Sequence, residues 1–146
     1  MSTDSPGPAP VPSPVPGPML TRRTCVAALL ATTLAARAVP RAEQPYEAAA
    51  FDAALSAGGG VVLAFMVDWC STCSLQKLVV ADLLESPRFA SLSFFVADFD
   101  KERALKRRLR VVRQSSFVVF KGGREVARAI GLTERAALEA LFAQAL

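Results

Sequence analysis

Every position from Val61 to Val67 is apolar (Val-Val-Leu-Ala-Phe-Met-Val), and the chain then switches at Ser71 to apolar residues at helical spacing that continue to Leu84. An unbroken apolar run of this length reads as a buried central strand, and the spacing after it as an amphipathic helix. Upstream, Tyr46 to Ala57 is Ala-rich with Phe51 and Leu55 one helical turn apart, and Gly58-Gly59-Gly60 ends it. Pro87 closes the helix that began at Ser71. Ser93 to Phe99 predicts a second buried strand, and Lys101 to Leu109 a helix with Leu105 and Leu109 on one side. Ser116 to Phe120 predicts a third strand, Gly122-Gly123 a hairpin turn, and Arg124 to Ile130 its antiparallel partner. Thr133 stands as the cap of a last helix striped by Leu138, Leu141 and Phe142. The predicted order, α β α β α β β α, belongs to an α/β layer fold with a mixed four-stranded sheet flanked by helices.

The chain before this pattern has a different composition. Residues 1–18 alternate Pro with small residues and cannot bury a core, which predicts disorder. Residues 19–38 run from Met19-Leu20-Thr21-Arg22-Arg23 through an apolar stretch to Ala36-Arg37-Ala38, the order of a secretory signal peptide with its cleavage site. The apolar stretch is shorter than the roughly 20 residues a membrane span needs. Arg22-Arg23 suits twin-arginine as well as general export, and Met19 is a credible start in its own right. Residues 39–146 are then the mature domain, exported to the periplasm and soluble after cleavage near Ala38. The domain is large enough to bury a core without disulfide staples.

Export changes the meaning of the cysteines. Cys25 is lost with the signal, leaving Cys70 and Cys73 in Trp69-Cys70-Ser71-Thr72-Cys73, where the central strand hands over to a helix N-terminus. Unpaired N–H groups and the positive end of the helix dipole favour a thiolate there, and a second thiol one turn on can resolve a mixed disulfide. Zinc normally takes four Cys or His ligands, and the chain has no histidine. Two other readings stay open: thiols packed as small hydrophobes, against which polar Asp68, Ser71, Thr72 and Ser74 weigh, and a soft two-thiolate site that delivers Cu(I) to an apo-cuproprotein. The absence of histidine, and of a nearby Met beyond Met66, weakens the copper alternative.

Asp68-Trp69-Cys70 and Cys73, the strand before them, Phe117 to Gly123 and the last helix together resemble the thioredoxin superfamily, in particular exported relatives that relay electrons from a membrane reductase. The resemblance implies a thiol–disulfide oxidoreductase that uses no cofactor and no metal. Cys70 would attack substrate disulfides, Cys73 would resolve them through a Cys70–Cys73 disulfide, and Trp69, Gln114 and Ser115 would line the substrate site. Its partners would be protein disulfides and a membrane-bound thiol–disulfide donor. Redox direction is not legible, since relatives of this fold span about −270 to about −120 mV.

Two departures from the family pattern stand out. Ala64 occupies the position of a buried carboxylate that takes the proton of the second thiol, which predicts that this proton leaves to solvent or a surface group. Ser115 stands where the family carries a cis-proline. A cis bond without proline costs about 2.5–4 kcal/mol, so a trans Gln114–Ser115 link is expected, with a hydroxyl near Cys70, a narrower substrate range and easier metal uptake.

Charge adds one feature. Lys101 to Arg113 holds seven basic residues against Glu102, within a chain of net charge +4. Export and the lack of interleaved aromatic residues exclude nucleic acid as a partner. What remains is a solvated helix face or a surface for an acidic partner or an anionic membrane.

Overall fold

The computed structural model describes residues 43–146. The disordered Pro-rich stretch, the signal peptide and its cleavage site expected from the sequence all lie outside them. A five-stranded sheet has the order β1-β3-β2-β4-β5, with β1 at Gln44–Pro45, β2 at Val61–Met66, β3 at Ser93–Asp98, β4 at Ser116–Lys121 and β5 at Arg124–Ile130. Strands β1, β3 and β2 run parallel, and β4 and β5 are antiparallel to their neighbours. Helices α1 (Ala48–Ser56), α2 (Ser71–Glu85), α3 (Arg103–Leu109) and α4 (Arg135–Ala143) complete the fold.

The expected sheet lacked β1. That strand has two exposed residues, one of them a proline, so it carries no alternation to read. Its pairing with Phe95 and Val96, extended by a bond from Tyr46 N to Val96 O of 2.8 Å, also draws Tyr46 out of the helix expected to begin there. A similar cause moves the start of α3 from Lys101 to Arg103. The Asp98 carboxylate accepts the N–H groups of Asp100 (2.9 Å) and Lys101 (3.2 Å), and this local turn competes with the first helical turn. Thr133 is not the cap of α4; Glu134 takes that position and makes no side-chain capping bond.

Strand β2 is buried along its whole length, as a strand covered on both faces must be. Side chains alternate across a strand. Val62, Ala64 and Met66 therefore join one buried cluster with Val80 and Leu83 of α2 and Leu138 and Phe142 of α4, while Val61, Leu63 and Phe65 join another with Phe51 of α1 and Leu105 of α3. An aromatic side chain anchors each layer. The Phe142 ring meets Phe94 and Phe117 at 5.7 and 5.5 Å, and Phe51 meets Phe95 and Phe120 at 5.6 Å, all near edge-on. Gly122 and Gly123 turn β4 into β5 with φ of 58° and 73°, the pair of positive angles a two-residue hairpin with native twist requires. The layers matter to function because they hold the end of β2 and the start of α2 as a rigid corner.

Candidate active site

Cys70 is the N-cap of α2. Its backbone is extended (φ −93°, ψ 110°), and its sulfur accepts the Cys73 N–H at 3.1 Å in the role an oxygen usually plays at this position. Cys73, one turn inside, is fully buried, whereas Cys70 keeps 7% of its surface. Both are free thiols. Burial pushes the Cys70 thiol up, but hydrogen bonds from Cys73, Ser115 and the backbone N–H groups of Cys73 and Thr72 outweigh it, and the net direction is down from the ordinary cysteine value. The more accessible sulfur is thus the one whose anion is stabilised.

Ser115 closes the site from the sheet side. Its hydroxyl lies 3.1 Å from the Cys70 sulfur and 3.1 Å from the Cys73 sulfur. The residue sits in the left-handed region at φ 58°, in a chain whose described peptide bonds are all trans. A non-glycine residue there costs about 1–2 kcal/mol, so the surroundings must hold it. They do so on both sides of its Cα: Ser115 N donates to Phe65 O at 2.9 Å, and Ser115 O accepts from Gly131 N at 2.8 Å and Gln76 Nε2 at 3.3 Å. Gln76 is fully buried and also donates to Leu132 O at 2.9 Å.

Trp69 is exposed beside the pair, its indole N–H donating to Asp100 Oδ2 at 2.9 Å. It borders a groove of about 480 Å³ that also touches Pro45, Met66, Lys77 and Asp98. Glu43 lines the same groove, where burial raises its carboxyl pKa and Lys77 partly offsets the rise. Gln114 is half-buried and makes no hydrogen bond to the dithiol. Of the five site residues expected from the sequence, Cys70, Cys73 and Ser115 therefore meet directly, Trp69 flanks them, and Gln114 contributes only its place in the chain.

The sequence profile of the thioredoxin family matches residues 43–144. This chain belongs to the thioredoxin family. Thioredoxin H2-2 of Oryza sativa subsp. japonica is 34% identical over 71 residues, which cover 49% of this chain and 52% of that protein. The chain thus spans about half the length of the rice relative. Thioredoxin-2 of Saccharomyces cerevisiae is 27% identical over 95 residues, 64% of this chain and 89% of that one. Among solved structures, Trxlp from Edwardsiella tarda superposes with a TM-score of 0.68 at 33% identity, covering 69% of this chain and 98% of that chain.

Within this family frame, Ala64 is fully buried between Val96 and Phe117, so no carboxylate reaches the pair from β2. Cys73 has no exposed surface, and the polar side-chain atom at its sulfur is the Ser115 hydroxyl, which lies between it and any surface group expected to take its proton. Gln76 was missed altogether. It falls on the buried stripe of α2 with Cys73, Val80 and Leu83, so a polar residue at an apolar position was the available signal.

Alkylation of the reduced protein with limiting reagent checks this geometry. Cys70 should be modified before Cys73, with a rate whose pH midpoint lies below that of a free cysteine, because a lowered pKa leaves the thiolate populated to lower pH. Peptide mapping that finds Cys73 modified first, or a midpoint at or above the free value, contradicts it.

Proposed function

We propose that the protein is a thiol–disulfide oxidoreductase of exported proteins, with Cys70 as nucleophile and Cys73 as resolving thiol, recharged by a membrane-bound thiol–disulfide donor. The observation that carries this reading is the asymmetry of the pair: a capped, partly accessible sulfur with a lowered pKa stands one turn before a fully buried one. In the reductive direction the Cys70 thiolate attacks a substrate disulfide, forming a mixed disulfide and expelling one substrate thiolate. Cys73 then attacks the Cys70 sulfur and expels the second. Two electrons pass to the substrate, the enzyme gains its disulfide, and the two released thiolates take up the Cys73 proton and one from solvent. The order of basic n-region, apolar stretch and Ala36-Arg37-Ala38 supports export.

The basic segment supports docking of an acidic stretch of the substrate protein. Lys101 is paired with Asp98 and Arg108 with Asp52, and Lys106 lies over the Phe99 ring. Arg103, Arg107 and Arg110 instead border a shallow groove of about 430 Å³ with Val111 and Val112, and Val112 is 78% exposed. Two residues, Arg113 and Gln114, separate Val112 from Ser115, so the groove lies within about 11 Å of extended chain of the residue that meets the dithiol.

A reduction assay on a disulfide protein such as insulin tests this function. Wild type should turn over, Cys70→Ser should be inactive, and Cys73→Ser should accumulate a mixed disulfide on Cys70. The pair Arg107→Glu and Arg110→Glu should lower kcat/KM toward an acidic substrate by about tenfold at low salt and much less at high salt. A Cys70→Ser variant as active as wild type would overturn the assignment, and a salt-independent charge-reversal result would remove the docking role.

Mass spectrometry of the protein from its native host tests the compartment. The expected species begins at Val39 and lies outside the cytoplasm. An intact species retaining Cys25 in the cytoplasmic fraction contradicts export.

A further inference from the structure

We infer that the Ser115 hydroxyl is a catalytic residue: a single hydrogen-bond donor shared by the two sulfurs, serving the Cys70 thiolate before attack and the Cys73 thiolate during resolution. This assignment rests on the exchange chemistry proposed above and names the group that stabilises its second anion.

The geometry is symmetric. One oxygen stands 3.1 Å from each sulfur, and a serine hydroxyl has one proton to give and lone pairs to accept with. In the reduced protein the Ser115 O–H can donate to the Cys70 sulfur, while the Cys73 S–H has both Ser115 Oγ and that sulfur within reach as acceptors. Once Cys70 is bonded to substrate its charge is gone. Rotation about the Ser115 Cβ–Oγ bond then turns the same proton toward Cys73 as that sulfur ionises and attacks. The electron pair of Cys73 forms the Cys70–Cys73 bond, the bond to the substrate sulfur breaks, and the departing thiolate gains the proton that Cys73 gives up. The hydroxyl is neither ionised nor consumed.

Apart from the Cys73 thiol, which also reaches the Cys70 sulfur, no polar side chain among the described residues competes for this role. Val62, Ala64, Met66, Val67, Phe117 and Leu138 share the buried cluster with the pair, and none ionises. Ala129 and Leu132 pack on it from β5 and the following turn, and Gln76 spends its amide protons on backbone carbonyls. The charged groups nearest in the chain face elsewhere: Asp68 is fully exposed and held by Lys77 at 3.5 Å, Asp100 binds Trp69, and Arg113 is exposed. Cys73 has no access to water in the reduced protein, so its anion needs an internal donor.

Two variants separate the hydroxyl from the backbone. Ser115→Gly removes the hydroxyl and relieves the left-handed strain, whereas Ser115→Ala removes it and keeps the strain. Both should raise the midpoint of the Cys70 thiolate, followed by ultraviolet absorbance, by about one pH unit, which is the size expected for losing one hydrogen bond to an anion. Both should also slow release of substrate from a preformed Cys70 mixed disulfide by about tenfold. A Ser115→Gly variant that titrates and resolves as wild type overturns the inference, as does a shift confined to Ser115→Ala. The titration uses no substrate, so a protein that shows the hydroxyl-dependent midpoint but reduces no disulfide supports the donor while sinking the exchange function.

Discussion

Ser115 is held in a left-handed conformation by groups from β2, α2 and the turn after β5, and the rest of the site depends on that hold. Phe65 O, Gly131 N and Gln76 Nε2 bind its backbone at 2.9, 2.8 and 3.3 Å. With its N–H tied to the sheet and its C=O to α2 and the turn after β5, the residue has its Cα–Cβ bond fixed, and its hydroxyl stands between the two sulfurs. Each neutral hydrogen bond contributes about 0.5–1.5 kcal/mol, which together is enough to offset the conformational cost. In family members that carry proline at this position, the ring itself sets the backbone. Here hydrogen bonds do the setting, and a polar atom enters the site as a result.

Gln76 shows what this solution costs. Its Nε2 binds Ser115 O and Leu132 O, but its Oε1 has no partner among the described residues despite full burial. An orphaned buried acceptor costs about 1–3 kcal/mol, so a purely apolar stripe on α2 would make the more stable helix packing. The residue is explained by what it holds, a loop carbonyl whose position aims a hydroxyl. Ala64 runs the opposite way: the buried carboxylate of the family is absent there, and β2 is apolar throughout.

The elements with strong periodicity were legible from the chain. The apolar run of β2, the stripe of α2 and the glycine hairpin each combine local propensity with a burial pattern that agrees with it, and the cysteines follow from their place between the first two. The two-residue β1 was not legible, because its formation depends on pairing with Phe95 and Val96 rather than on its own side chains. Nor was the left-handed angle at Ser115. Serine has no preference for that region, and the bonds that enforce it come from residues as far away in sequence as Phe65 and Gly131. The hydroxyl near Cys70 was expected, but its equal approach to Cys73 was not, since that requires knowing the direction in which the backbone points.

Native-state hydrogen exchange at two amides distinguishes a pinned Ser115 from one resting in a loop. Ser115 N–H and Gly131 N–H should exchange only through global unfolding, with protection matching that of the β2 core and the same dependence on denaturant. If these two amides exchange as fast as that of exposed Arg113 while the sheet stays protected, the loop opens on its own, and the account of the site as a rigidly aimed hydroxyl between two sulfurs is wrong.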